Sequence, residues 1–103
     1  MQKTTLLWTW RGAFFGYRED DALWTYQGKH VGWFRGEEVY SMTGNYIGEL
    51  ESKERLITKS HKKHLRAPVF APYAQRSSIV RYVNYVGYVM YAGCEDFPLP
   101  ENL

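Results

Sequence analysis

Two histidines three residues apart, His61 and His64, stand in a run that also carries Lys59, Lys62, Lys63 and Arg66. An HxxH pair can occupy two positions of a zinc shell, but a site needs further ligands and no second Cys/His cluster follows. The third histidine, His30, is remote in sequence, and Lys62 and Lys63 would repel a metal cation. Neither a metal nor any other cofactor is expected. An anion suits the run better. Lys59, Lys62, Lys63 and Arg66, helped by His61 and His64 and extended by Arg76 and Arg81, can neutralise phosphates of nucleic acid or of an anionic membrane surface. Tyr73, or a tryptophan on a nearby rim, can stack a base.

Other reactive groups carry less. The acid pairs Asp20/Asp21 and Glu37/Glu38 can serve acid–base chemistry, but both follow turn-like segments and read as solvated turn residues. Ser41, Ser52, Ser60, Ser77 and Ser78 lack a nucleophile-elbow context. Cys94 is the single cysteine. It has no assignable base beside it and cannot close an intrachain disulfide, so no oxidising compartment is implied. No catalytic residue is expected, and a non-enzymatic binding module is the favoured reading. Protein interaction, including homo-oligomerisation through exposed aromatics or leftover strand edges, is the alternative. An enzyme with an unrecognised pocket comes third.

Charge is segregated along the chain. Residues 1–54 hold six Lys/Arg against eight Asp/Glu, a net of −2; residues 55–94 hold seven Lys/Arg and no acid, a net of +7. The start, Met1–Trp8, has no long apolar run, so no signal peptide is expected, and no stretch is long enough for a membrane-spanning helix. A soluble cytoplasmic protein follows as the expectation.

What positions these residues is an internal repeat. Gly12, Gly28 and Gly44 step by sixteen, as do Gly16, Gly32 and Gly48, and Trp8, Trp24 and Tyr40 keep the same register. The units read WTWRGAFFGYREDDAL, WTYQGKHVGWFRGEEV and YSMTGNYIGELESKER. Trp8-Thr9-Trp10 and its equivalents alternate with the period of a strand. A polar-Gly pair then supplies a tight turn, and a second strand follows, so each unit is one β-hairpin. A glycine inside a strand implies a bend or a close neighbour. An aromatic of the Trp8/Trp24/Tyr40 column lying across it would explain the recurrence. The large rings are expected to pool in one shared interior.

A fourth unit begins near Leu56 and loses the glycine columns. Residues 59–78 read as a basic loop inserted into this fourth hairpin, with regularity returning at Ile79–Tyr91 around Gly87. That stretch reads as a strand on its β-branched content, or as a short helix on the spacing of Tyr82, Tyr85, Tyr88 and Tyr91. Glu49–Leu65 has helix-forming composition, against which the repeat register argues. One domain over residues 1–97 is expected, with repeats at about 8–23, 24–39, 40–55 and 56–91, and an extended or disordered tail over 98–103.

Three stretches carry a family resemblance: Leu23-Trp24-Thr25-Tyr26-Gln27-Gly28 with Lys29–Gly32, Gly44-Asn45-Tyr46-Ile47-Gly48-Glu49-Leu50 with Arg55–Thr58, and Val83–Gly93 through Asp96-Phe97-Pro98. In these the chain resembles the four-fold β-flower proteins, small bacterial domains with hairpin petals about a pseudo-four-fold axis. The resemblance implies an all-β, shallow closed barrel of four hairpin repeats and a bacterial or phage origin. It transfers no catalytic residue.

Overall fold

The computed structural model describes residues 4–103, so the Met1–Lys3 part of the expected leaderless start lies outside it. Eight strands follow one another in the chain: β1 (Thr4–Thr9), β2 (Phe14–Glu19), β3 (Ala22–Thr25), β4 (His30–Arg35), β5 (Glu38–Ser41), β6 (Tyr46–Ser52), β7 (Arg55–Lys59) and β8 (Cys94–Asp96). Sequential neighbours pair antiparallel throughout. A parallel contact of β1 with β7, Trp8 opposite Arg55 and Thr9 opposite Leu56, closes β1–β7 into a barrel. The closure covers the Trp8–Thr9 end of the β1 edge. Glu49–Leu65 is strand over most of its length, and two 3-10 turns, Ser60–Lys62 and Pro100–Asn102, are the helical elements among the described residues.

The sixteen-residue ruler is visible in the three hairpin ladders. Leu7 faces Gly16, Leu23 faces Gly32 and Val39 faces Gly48, and a bulge follows each of Leu7, Leu23 and Val39. The hairpin turns repeat as well. The amides of Ala13, Lys29 and Asn45 each donate to the hydroxyl of Thr9, Thr25 or Ser41. That is why a hydroxyl residue recurs two places before the polar-Gly pair: its side chain satisfies an amide the tight turn would orphan.

The interior is filled by apolar residues from every repeat. Leu7, Leu23 and Val39 line it together with Phe15, Val31, Phe34, Leu56 and Phe97. The Trp8/Trp24/Tyr40 column is buried but lies one residue along, on the opposite face of the strands. The rings of this column therefore do not pool in the shared interior; alternation sends the aliphatic residue before each of them inward and the ring outward. The strand glycines are explained by the same closeness. A side chain at Gly16 would collide with the Trp24 carbonyl, one at Gly32 with Val39, and one at Gly48 with the Phe97 ring. The neighbour is backbone or core, not a ring of the outer column.

Two expectations for the C-terminal third are corrected. Residues 67–91 form neither strand nor helix, and the strand pairing with β7 is β8, Ile57 opposite Asp96 through Lys59 opposite Cys94. Nor is the 98–103 tail extended or disordered: Pro100–Asn102 form a 3-10 turn, Pro100 is buried, and Leu103 packs against the core.

Candidate functional site: the strap around the turns

Residues 66–93 run as a strap across the three hairpin turns, visiting them in reverse order. The amides of Ala67 and Phe70 donate to the carbonyls of Gly44 and Met42, those of Arg76 and Ile79 to Gly28 and Tyr26, and those of Tyr85 and Tyr88 to Gly12 and Trp10. Ala67, Arg76 and Tyr85 are nine residues apart, as are Phe70, Ile79 and Tyr88. The strap is a nine-residue repeat laid on a sixteen-residue one. Its signal in the sequence is Tyr73, Tyr82 and Tyr91, also nine apart. The turn glycines make the contact possible. Their φ angles of 86–100° favour glycine, and the carbonyls of Ala67, Arg76 and Tyr85 occupy the space a side chain would need at Gly44, Gly28 and Gly12.

Within residues 83–91 the period is three. The carbonyls of Val83, Val86 and Val89 accept from Trp8 Nε1 (3.0 Å), Arg55 Nη2 (3.0 Å) and Trp10 Nε1 (2.9 Å). Tyr82, Tyr85, Tyr88 and Tyr91 turn onto Trp8 and Trp10. Three residues per turn is the pitch of a polyproline II chain, which makes no hydrogen bonds of its own and takes its partners from outside. This period of three is why the stretch reads ambiguously as strand or helix. On the outward side Val80, Val83, Val86 and Val89 form a stripe, each 78–89 % exposed.

Arg55 is the residue that sequence reasoning missed. It is buried, donates to the carbonyls of Thr9 (3.5 Å), Trp10 (3.2 Å) and Val86, and lies under the rings of Tyr85 and Tyr88 at 5.2 and 4.2 Å. No carboxylate among the described residues pairs with it. It joins β7, β1 and the strap by hydrogen bonds and cation–π contact alone. His30 is the second pin. The Tyr73 amide donates to Nδ1 (3.0 Å), so the proton sits on Nε2, which donates to the Gly32 carbonyl (2.9 Å). Burial, with a smaller contribution from nearby Arg76, lowers the His30 pKa below its ordinary value.

The basic residues do not form one free patch. Lys59 pairs with Glu49 (3.0 Å) and Glu51 (3.4 Å), Lys62 with Glu38 (3.0 Å) and Glu49 (2.9 Å), and Lys63 with Glu95 (2.8 Å). Arg66 is turned onto the Lys63 and Leu65 carbonyls. Arg76 pairs with Glu19 (2.9 Å) and stacks on Trp24, and Arg81 lies 5.8 Å from the Tyr26 ring. His61 and His64 are exposed. Burial would raise the Glu49 carboxyl, but hydrogen bonds from Lys62, Lys59 and Tyr46 outweigh it and hold it below the usual range. The charge asymmetry along the chain is thus largely consumed inside the molecule: the acidic half holds the basic half in place. Among the described residues no group of three His, Cys, Asp or Glu could hold a metal, and no helix is long and apolar enough to cross a membrane.

A closed all-β barrel whose turns are girdled by an extended strap is the class of protein that the geometry defines. Residues 1–81 match the 4-fold beta flower protein family, and the chain belongs to that family. The match ends within the strap, so Val83–Pro98 lies beyond it. No curated protein and no solved structure matches the chain.

Proposed function

We propose that this chain is a non-enzymatic interaction module whose recognition face is the outward side of the strap, and that it binds an extended, apolar, acidic segment of a protein partner. One observation carries this reading: the valine stripe at Val80, Val83, Val86 and Val89 is exposed while the carbonyls of the last three are tied back to the barrel. A contiguous exposed apolar stripe on a small domain marks a contact surface. The chemistry of the partner follows from charge. Residues 55–94 carry no acid, and among the described residues no salt bridge engages Arg81 or Arg11. An acidic flank on the partner would complement them.

The test is a random peptide library displayed on phage and selected on the intact chain, with the Val83→Ser/Val86→Ser variant as counter-target. Enrichment of apolar sequences with Asp or Glu, lost on the variant, is expected. No enrichment, or enrichment indifferent to the substitutions, overturns the reading. A dimer that forms with concentration and is lost in the same variant would assign the stripe to a second copy instead.

Binding of nucleic acid or anionic lipid headgroups through Lys59–Arg66 is the second reading, supported by the exposed His61 and His64 and by Arg66, which holds only carbonyls. It requires an incoming phosphate to compete with Glu38, Glu49 and Glu95. Salt-sensitive binding abolished by Lys62→Glu/Lys63→Glu would support it. We also infer that β7 and β8 are a fourth hairpin petal whose turn is replaced by the insertion 60–93; their antiparallel pairing supports this.

A further inference from the structure

The two superposed repeats create three equivalent slots, each above one ring of the Trp8/Trp24/Tyr40 column, and each facing the first residue of a strap unit. In the first slot that residue is Tyr85, whose ring stacks on Trp8 at 3.9 Å and 11°. In the second it is Arg76, whose guanidinium lies 3.7 Å from the centre of the Trp24 ring and is held by Glu19 and by the Tyr17 hydroxyl. A flat group fills both. In the third slot the corresponding residue is Ala67, which has nothing to lay on the ring of Tyr40. A half-open pocket of about 340 Å³ remains there, lined by Trp33, Arg35, Tyr40, Ala67, Phe70 and Tyr73 among others.

The charge of this slot is reversed. Sixteen residues on from Glu19, which holds the Arg76 guanidinium, stands Arg35, and sixteen on from Tyr17 stands Trp33. Arg35 is the one charged side chain lining the pocket. The one carboxylate bonded to Tyr40, that of Glu38, is itself paired with Lys62. Pro68 and Pro72 stiffen the strap over this slot, so the pocket does not depend on a loop closing. An aromatic-lined concavity of this size with one converging charge has the form of a small-ligand site.

We propose that the slot above Tyr40 binds a flat ring bearing an acid group, the ring taking the place that Tyr85 and the Arg76 guanidinium take in the other two slots and the acid meeting Arg35. The ring gains stacking against aromatic faces, and the planar fork of the guanidinium suits a carboxylate or a phosphate.

Amide chemical shifts of the intact chain, titrated with indole-3-carboxylate, adenosine 5′-monophosphate and the cation benzamidine, test this. Either acid is expected to move the amides of Trp33, Ala67, Phe70 and Tyr73 saturably, and the tighter of the two distinguishes a carboxylate source from a phosphate source. Benzamidine is expected to bind more weakly than both. Ala67→Arg/Arg35→Glu rebuilds the second slot in the third and fills it from within, lowering affinity by at least about tenfold while the chain stays folded. Exposed Arg35→Gln, which removes no packing, is expected to erase the preference for the acids over benzamidine. The proposal is overturned if neither acid moves these amides at about 10 mM, weaker than any useful affinity. It is equally overturned if benzamidine binds as well as the acids, or if the filled variant binds unchanged.

Discussion

The barrel and the strap are built from the same aromatic-rich chain yet are held by opposite means. In the barrel, continuous ladders and fully buried Leu7, Leu23, Val39, Phe15 and Leu56 do the holding. In the strap there is no ladder. Paired amide bonds recur every nine residues, three valine carbonyls reach the barrel, and Arg55 and His30 pin it from beneath. The contrast shows how one small domain holds its two parts by different means. The interior fixes the positions of the turns, and the strap, fastened only at intervals, is left with its outer side free.

Substitutions in the two regions should differ accordingly. Leu23→Ala, at a fully buried site, is expected to destabilise the whole molecule by about 3 kcal/mol, read from denaturant unfolding followed by tryptophan fluorescence. Gly28→Val acts on the strap instead. Its φ of 90° and the Arg76 carbonyl against it leave no room for a side chain. About 2 kcal/mol should be lost, mainly as faster exchange of the Arg76 and Ile79 amides while the barrel amides stay protected. A uniform loss of protection would show that strap and barrel are one cooperative unit. Arg55→Met leaves the Val86 carbonyl without its donor, while the Trp10 carbonyl keeps the Tyr88 amide, and should cost roughly 1–3 kcal/mol, again concentrated at residues 83–91.

Acidification sharpens the comparison further. Because burial lowers the His30 pKa, the unfolded chain takes up a proton near 6.5 that the folded chain resists. Stability conferred through His30 is therefore complete above that value and falls as pH drops below it, levelling off once the folded form also protonates. The slope cannot exceed about 1.4 kcal/mol per pH unit for one group. Between pH 7 and 5 the protection of the Tyr73 amide, measured against its intrinsic exchange rate at each pH, should fall progressively, and His30→Gln should remove the dependence. The smallest effect is expected for Val83→Ser/Val86→Ser, within about 0.5 kcal/mol of the parent, because both side chains already face water.

The hairpins were legible because turn chemistry and strand alternation leave a periodic mark: glycine where φ must be positive, hydroxyls beside it, large residues every second place. The side of the sheet taken by the rings was not, because Leu7 and Trp8 are adjacent and both apolar, so alternation alone does not say which of them faces inward. Nor was the docking of residues 67–91. A three-residue period belongs to no ladder, and its hydrogen-bond partners, such as Gly12 and Trp10 for Tyr85 and Tyr88, lie more than seventy residues away in sequence. The lysines were visible as a cluster, but their partners Glu38, Glu49 and Glu95 come from other hairpins and from β8, which charge counting does not reveal.

Hydrogen exchange resolved to single amides along residues 66–91 tests the docking of one repeat on the other most directly. The amides of Ala67, Phe70, Arg76, Ile79, Tyr85 and Tyr88 should exchange slowly, each pair nine residues from the next, with the Val83, Val86 and Val89 amides fast between them. Uniformly fast exchange across the segment, or protection with the two-residue alternation of a strand, would contradict it.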